Sequence, residues 1–274
     1  MKKIFVILIC LIALAFIVGA ILIFRPKTKA DILAIPSIIA KPTKEIPKVE
    51  KFEVPGLMYH YIRDASAESQ LGQNLSVHPT NFDAQLKHLK DNDYETMKME
   101  DLADPKRVTI SKIIAENKKP IVLTFDDGYS DAYTAAFPAL KKYGFTGTFF
   151  IIENYTGKDI YISSAQIDEM KKAGMEIGSH TLSHPDLTKI SAADANSQIV
   201  DSKNGYTIFC YPAGKFNDAV VALVKEAGYK VAVTTKIGIA RETSNLLEIP
   251  RVRIENVGPQ AFADKISYAQ ENGI

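Results

Sequence analysis

Residues 121–131 read IVLTFDDGYSD, an apolar run that stops at two adjacent carboxylates, Asp126 and Asp127. A short apolar run that ends in turn residues is typical of a strand buried inside a sheet. Successive side chains on a strand point in opposite directions, so the two carboxylates are expected to diverge and to have different roles. For a DDG tripeptide alone, however, the simpler interpretation is a turn cap beside a solvated carboxylate.

Six other strand-like runs occur in the chain, at residues 54–59, 147–152, 175–178, 207–211, 230–234 and 248–254. Helical patterns separate several of them, at residues 80–92 with Thr80 as the N-cap, 131–143, 164–173, 217–227 and 259–272. Strands joined through helices predict right-handed crossovers and a largely parallel α/β sheet, either open or closed into a barrel. In both arrangements the active groups gather at the C-terminal ends of the strands.

The N-terminal part has a different character. Residues 4–24 carry no charge and are flanked by lysines and an arginine, and such a run is long enough to cross a bilayer as a helix. The sequence therefore predicts a transmembrane signal anchor over residues 1–24, a linker over residues 25–53 and an extracytoplasmic domain over residues 54–274, held at the cell membrane by a single pass. Cleavage near Ala20 would instead give a secreted form.

Composition adds little about partners. Lys and Arg total 33 against 32 Asp and Glu, so bulk charge gives no indication of a nucleic-acid partner. The two cysteines, Cys10 and Cys210, fall in the anchor and in the domain, and both are interpreted as unpaired apolar packing residues. The oligomeric state is not indicated.

A second polar cluster follows another apolar run. Residues 175–185 read MEIGSHTLSHP and place His180 and His184 four residues apart. One turn of helix or a compact loop brings imidazoles at this spacing together as metal ligands. The His pair is a weak pattern by itself, but an acidic and an imidazole cluster, each at a strand end, together favour a metal site. Two imidazoles and one carboxylate leave positions open for water, as catalytic sites do.

The segments TFDDG (124–128), SHTLSH (179–184) and FCYPAGKFN (209–217) resemble, in order and spacing, the polysaccharide deacetylases of carbohydrate esterase family 4. The resemblance covers most of residues 54–274 and implies a distorted (β/α) barrel. It also implies one divalent metal ion, by default zinc, with cobalt, nickel or manganese as alternatives, bound by Asp127, His180 and His184. Asp126 would be the general base. The implied reaction is hydrolysis of N-acetyl groups on an N-acetylglucosamine-containing cell-surface or cell-wall polysaccharide.

Further roles follow from the same resemblance. The backbone N–H of Ala213 would stabilise the oxyanion. No His follows His184, but residues 55–60, PGLMYH, resemble an element of the branch that includes poly-N-acetylglucosamine deacetylases, which makes His60 the predicted general acid. The other histidines, His78 and His88, are interpreted as surface residues. Tyr129 and Tyr211 are candidates for stacking on sugar rings, although core packing is the favoured interpretation of each ring taken individually.

The chain departs from the family pattern at two positions. The third motif often reads Arg-x-Pro-Tyr, but here Cys210 and Ala213 stand at the Arg and Tyr positions. Arg251 is the predicted replacement for the missing Arg, against a competing interpretation as a solvated charge. Residues 190–205 have little amphipathic length, which predicts a shortened helix before this motif.

Two other functions remain open from the sequence. A catalytically impaired carbohydrate-binding protein with the same fold would explain the two departures, but the intact metal ligands and base favour the enzyme. A mononuclear phosphoesterase would require more basic groups near the site.

Overall fold

The computed structural model describes residues 47–272, so the predicted anchor and most of the predicted linker lie outside the described residues. Within this range no helix combines the length and apolar character that a membrane crossing requires. The strands are β1 (Glu53–Val54), β2 (Gly56–Tyr59), β3 (Tyr61–Ile62), β4 (Ser76–Val77), β5 (Tyr94–Thr96), β6 (Lys119–Phe125), β7 (Thr148–Ile151), β8 (Glu176–Ser179), β9 (Ile208–Cys210), β10 (Val231–Ile237), β11 (Ala240–Arg241) and β12 (Ile249–Arg253). The α-helices are α1 (Gln70–Leu75), α2 (Pro79–Asp91), α3 (Val108–Ala115), α4 (Phe137–Tyr143), α5 (Ser164–Lys172), α6 (Ala192–Val200), α7 (Asp218–Glu226) and α8 (Pro259–Glu271).

Seven parallel strands close into a barrel in the order β2, β12, β10, β9, β8, β7, β6, with β6 pairing back onto β2. The seven strand-like runs of the sequence supply these seven strands, so the predicted (β/α) barrel is confirmed. An eighth parallel strand, β5, pairs with the first half of β6. The second half of β6 pairs with β7. Strand β1 pairs with β11, and β3 pairs with β4, outside the barrel.

Alternation along the strands divides the core into two clusters. Val122, Phe150, Ile208 and Val233 belong to one cluster, together with Cys210. Their chain neighbours belong to the other, which also holds the buried faces of the helices: Leu123, Phe149, Phe209 and Ala232. Because side chains alternate across a strand, the first cluster fills the barrel and the second lies between the barrel and the helices. This double burial explains why β6 reads as a continuous apolar run.

Gly178 in β8 makes room inside the barrel. A Cβ at this position would lie 2.6 Å from Ile208 and 2.7 Å from Phe150, closer than side-chain atoms approach one another. Glycine therefore allows both large side chains to fill the interior beneath the end of β8.

The five predicted helical segments are present close to their predicted positions, with local differences, whereas α1 and α3 were not predicted. Helix α2 begins at Pro79 rather than Thr80, and its cap is His78, whose Nδ1 accepts a hydrogen bond from the Thr80 N–H, so the predicted Thr80 cap is wrong. The predicted helix at residues 131–143 is a π-helical turn, Ala132–Ala136, that continues into α4. Helix α6 is short, as expected, with Ser191 as its cap. His78 and His88 are partly exposed.

Candidate active site

The barrel places polar residues from three strand ends, and one from inside a fourth strand, in one cluster. Asp126 and Asp127 follow β6, His180 follows β8, and His60 follows β2. Arg251 reaches the same point from inside β12. The C-terminal ends of parallel strands meet at one rim of the barrel, which is where enzymes of this architecture carry their active groups.

Asp127, His180 and His184 form a group that fits a divalent cation. Asp127 Oδ1 lies 3.4 Å from His180 Nε2 and 3.7 Å from His184 Nε2. Ligand atoms around a tetrahedral zinc ion, with bonds of about 2.0–2.2 Å, stand about 3.3–3.6 Å apart. The spacing and the donor types therefore suit such an ion, and the partly exposed His184 side chain leaves one side open.

The orientation of His180 also suits a metal ligand. Its Nδ1 lies 2.8 Å from the carbonyl oxygen of Cys210, and because a carbonyl only accepts hydrogen bonds, Nδ1 carries the proton. This leaves the Nε2 lone pair directed at Asp127. A backbone carbonyl behind a ligating imidazole is the usual means of fixing its tautomer and ring plane.

A second group, Asp126, His180 and Cys210, also brings three donor types together. It is less suited to a cation, because both Asp126 oxygens already accept hydrogen bonds from Arg251 and His180 Nδ1 is committed to a carbonyl.

Asp126 and Arg251 form a buried, two-pronged ion pair. Arg251 Nη1 and Nη2 donate to the two carboxylate oxygens at 2.7 and 2.8 Å. Burial opposes ionisation of Asp126, but the charge and hydrogen bonds of Arg251 outweigh it and hold the pKa of the carboxyl well below its usual range. The guanidinium also donates to Thr124 Oγ1 and to the Thr234 carbonyl, so its position is fixed.

Arg251 is fully buried, so the competing interpretation as a solvated charge is wrong. Cys210 lies against the same groups, with its Sγ 3.5 Å from Arg251 Nη2 and 3.6 Å from Asp126 Oδ2. Because the side chain of Cys210 is small, it leaves space beside Asp126. The guanidinium of Arg251 enters this space from β12.

His60 lies beside the buried pair. Its Nε2 is 3.9 Å from Asp126 Oδ2, beyond hydrogen-bonding distance, and its side chain is 17% exposed. Burial lowers the pKa of His60, and the charges of Asp126 and Asp127 oppose this shift.

Four residues at or next to the site have left-handed backbone: Asp127, Thr181, His184 and Ala213, with φ of 74°, 69°, 58° and 52°. Non-glycine residues rarely adopt positive φ, and such conformations persist only where the surroundings impose them. Two of the three metal-site residues are thus held in strained turns. The His184 turn is closed by its N–H, which donates to Thr181 Oγ1.

The site opens into a cleft of about 930 Å³. His60, both aspartates, both histidines and Ala213 line it, so all predicted catalytic and metal residues except the buried Arg251 face one space. Tyr211, which was predicted from the sequence, also lines the cleft. Most of the other lining residues come from α1, the end of β10, β12 and α8.

The two predicted sugar-stacking tyrosines are packed against other rings. Tyr211 is fully buried, stacks on Phe216 and donates its hydroxyl to the Leu247 carbonyl. Tyr129 stacks on Tyr161 at 4.6 Å between ring centroids, meets the edge of Tyr61, and does not line the cleft. Tyr211 also lines the cleft, with its side chain buried. A sugar-stacking role for these two rings stays a prediction.

One positioning contact was missed in the sequence. Asp131 is buried and its Oδ2 accepts a hydrogen bond from the Ile62 N–H, which ties the segment after His60 to the turn after Asp127. Asp131 is the third carboxylate of the segment at residues 121–131, and this position next to Asp126 and Asp127 is the pattern that could have indicated the contact. From the sequence, Asp131 was interpreted only as the first residue of a predicted helix.

Comparison with known proteins agrees with this geometry. A family model described as polysaccharide deacetylase matches residues 114–232. The chain is 32% identical over 240 residues to YxkH of Bacillus subtilis, which is assigned to the polysaccharide deacetylases, covering 78% of this chain and 81% of YxkH. It superposes on the Streptococcus pyogenes deacetylase PplD with a TM-score of 0.68 at 32% identity, covering 78% of this chain and 97% of PplD. The chain therefore belongs to the polysaccharide deacetylase family, a class of hydrolases that cleave amide bonds.

A more distant relative has a named substrate. The poly-beta-1,6-N-acetyl-D-glucosamine N-deacetylase of Staphylococcus aureus is 27% identical over 274 residues, covering 89% of this chain and 92% of that protein.

Proposed function

We propose that this protein hydrolyses N-acetyl groups from an N-acetylglucosamine-containing polysaccharide with the help of one divalent metal ion. The observation that carries the proposal is the placement of Asp127, His180 and His184 next to an ionised Asp126 in an open cleft. Membership of the deacetylase family and the glycan named for the Staphylococcus aureus relative support the choice of substrate.

Asp127, His180 and His184 would hold the metal, with zinc as the first choice for two imidazoles and one carboxylate. A bound ion supplies Lewis acidity to the acetyl carbonyl and to water. Asp126 then acts as the general base, because its pairing with Arg251 keeps it ionised and ready to take the proton of the attacking water. The water oxygen bonds to the carbonyl carbon, and the carbon–nitrogen bond breaks.

The leaving sugar nitrogen needs a proton before it departs as an amine. His60 is the proposed donor, because it lines the cleft and its Nε2 lies 3.9 Å from Asp126 Oδ2. The backbone N–H of Ala213 is the proposed donor to the developing oxyanion, in a turn with a rare backbone conformation beside the same space. The products are acetate and a free amino sugar.

We also propose a location at the cell membrane. The uncharged run at residues 4–24 supports a single-pass anchor that holds the catalytic domain outside the cytoplasm, facing a cell-surface or cell-wall glycan.

Product analysis tests this function. The full chain, supplied with zinc, is incubated with β-1,6- and β-1,4-linked N-acetylglucosamine oligomers and with phosphorylated model substrates. We expect equal amounts of acetate and free amine, and no phosphate. Glycan binding without acetate would favour the impaired binding protein, and phosphate release would favour the phosphoesterase.

A further inference from the structure

The cleft has an apolar wall that the proposed chemistry does not use. In the described part of the chain, Leu71, Ile237 and Tyr268 are among the most exposed large apolar side chains, at 67%, 63% and 59%. They come from α1, the end of β10 and α8, which are far apart in sequence. All three nevertheless line the cleft that contains Asp127, His180 and His184. Apolar side chains that gather on one exposed surface mark a binding site more often than chance.

These side chains are not needed for packing. Helix α8 buries Phe262, Ile266 and Ala269, and Tyr268 lies beside that buried face. Helix α1 buries no residue at all. It is instead held at the cleft by polar contacts, including the bond that Arg253 Nη2 donates to the Asn74 carbonyl. The fold therefore maintains these apolar groups at the cleft without obtaining core stability from them.

Charged groups border the wall. Arg253, Glu255, Asp264 and Lys265 line the same cleft. Asp264 and Lys265 precede Tyr268 by four and three residues on α8, so these side chains share one side of the helix. An apolar surface with a charged border suits a ligand with one apolar face and a polar edge.

We propose that Tyr268, with Leu71 and Ile237, forms a second sugar subsite that binds a unit of the glycan next to the one that reacts. This inference rests on the proposed function and states where the neighbouring unit of the polymer binds. A pyranose ring presents C–H groups on its face and hydroxyls at its edge, so its face stacks on the electron-rich face of Tyr268 while the charged border binds the hydroxyls.

Two features favour this occupant. Among the described residues that line the cleft, Tyr268 is the only exposed tyrosine, because Tyr211 is fully buried, and no Phe contributes to the lining. The cleft volume of about 930 Å³ lies at the upper end of the range of roughly 300–1,000 Å³ that encloses a drug-sized ligand. A single N-acetylated sugar is smaller than such a ligand, so there is room for a neighbouring unit.

Substrate length provides the test. The value of kcat/KM for acetate release is measured for N-acetylglucosamine as the monosaccharide and as its di- and tetrasaccharide, with the full chain and with Tyr268→Ala and Tyr268→Phe. We expect Tyr268→Ala to lower kcat/KM roughly fivefold for the tetrasaccharide and to leave kcat/KM for the monosaccharide almost unchanged. Tyr268→Phe keeps the ring and should keep the preference for length. Val108→Ala, equally exposed on α3 but outside the cleft lining, is the matched control.

Binding separates this inference from the proposed reaction. The dissociation constants of the same sugars are measured on the Asp126→Asn background, where turnover is not needed. If the wild-type protein releases no acetate but Tyr268 still controls tetrasaccharide binding, the reaction is overturned and the subsite stands. An equal loss for all lengths, no loss at any length, or a change in oligomeric state without a change in glycan binding would overturn the subsite.

Discussion

At the scale of single residues, the buried pair of Arg251 and Asp126 determines the chemistry of the site. An isolated carboxylate in this position would be protonated, because removal of a charge from water is costly. The guanidinium compensates for that cost through two short hydrogen bonds to Asp126 and further bonds to Thr124 and Thr234. Asp126 can therefore remain an acceptor of protons while buried.

Replacement of Arg251 by Lys tests this dependence. An ammonium keeps the charge but loses the planar fork that meets both carboxylate oxygens. We expect Arg251→Lys to lower kcat by roughly a hundredfold, which is at the low end of the range for loss of general-base catalysis. The measurement is steady-state acetate release at saturating metal, with circular dichroism to verify folding. Arg107→Lys, at a site outside the cleft lining, is the control, and wild-type kcat in Arg251→Lys would contradict the assigned role.

At the scale of elements, the turns that follow the barrel strands hold the functional groups, and the interiors of the strands support those turns. Gly178 lies two residues before His180, and its lack of a side chain lets Phe150 and Ile208 fill the barrel directly below. The position of His180 thus depends on packing inside the barrel as well as on the turn that carries it.

Gly178→Ala should therefore destabilise the fold. Its Cβ would overlap two buried side chains, and overpacking of this kind costs typically about 1–3 kcal/mol. The free energy of unfolding from urea titration measures the effect. Gly258→Ala, where a Cβ would meet nothing within 4 Å, is the matched control. Equal stability of the two variants would show that the barrel interior around Gly178 can absorb a methyl group, contrary to the close contacts with Ile208 and Phe150.

The start of β8 carries a buried carboxylate that responds to pH. Burial raises the pKa of Glu176 to about 7 from an ordinary value of 4.5, although the Thr148 hydroxyl and the N–H groups of Glu100 and Met99 oppose the shift. The native state then binds more protons than the unfolded chain between these two values. The free energy of unfolding should fall as pH rises from about 4.5 to about 7, by at most about 3 kcal/mol.

Denaturation midpoints measured at several pH values test this expectation. Glu176→Gln has no proton to lose, so its stability should vary less over that window, whatever its absolute value. Glu226→Gln, at an exposed position on α7, should keep the wild-type slope. A slope for Glu176→Gln as steep as that of the wild type would assign the pH dependence to other groups.

At the scale of the whole molecule, most of the barrel could be predicted from the sequence. All seven barrel strands were apparent because strands buried on both faces read as apolar runs, and the TFDDG and SHTLSH segments fall where two of them end. Outside the barrel, the short strands β3, β5 and β11 were missed, because two or three residues without a longer apolar run around them show no period.

The walls of the cleft were also missed. Leu71, Ile237 and Tyr268 come together only because α1, β10 and α8 meet in space, and no local pattern marks such a meeting. The contact of the Tyr211 hydroxyl with the Leu247 carbonyl was missed for the same reason, since the two residues lie 36 positions apart in the sequence. The places of residues within a motif were thus more predictable than contacts that depend on packing between distant elements.

The most direct test of the account is acetate release by the full chain as purified, after chelation, and after zinc or cobalt is restored, with Asp126→Asn measured alongside. We expect chelation to abolish acetate release and the added metal to restore it in the wild type. Under all three conditions Asp126→Asn should release acetate at least about a hundredfold more slowly than the metal-loaded wild type. Acetate release that survives chelation, or that Asp126→Asn retains at the wild-type rate, would contradict a metal-dependent mechanism with Asp126 as the base.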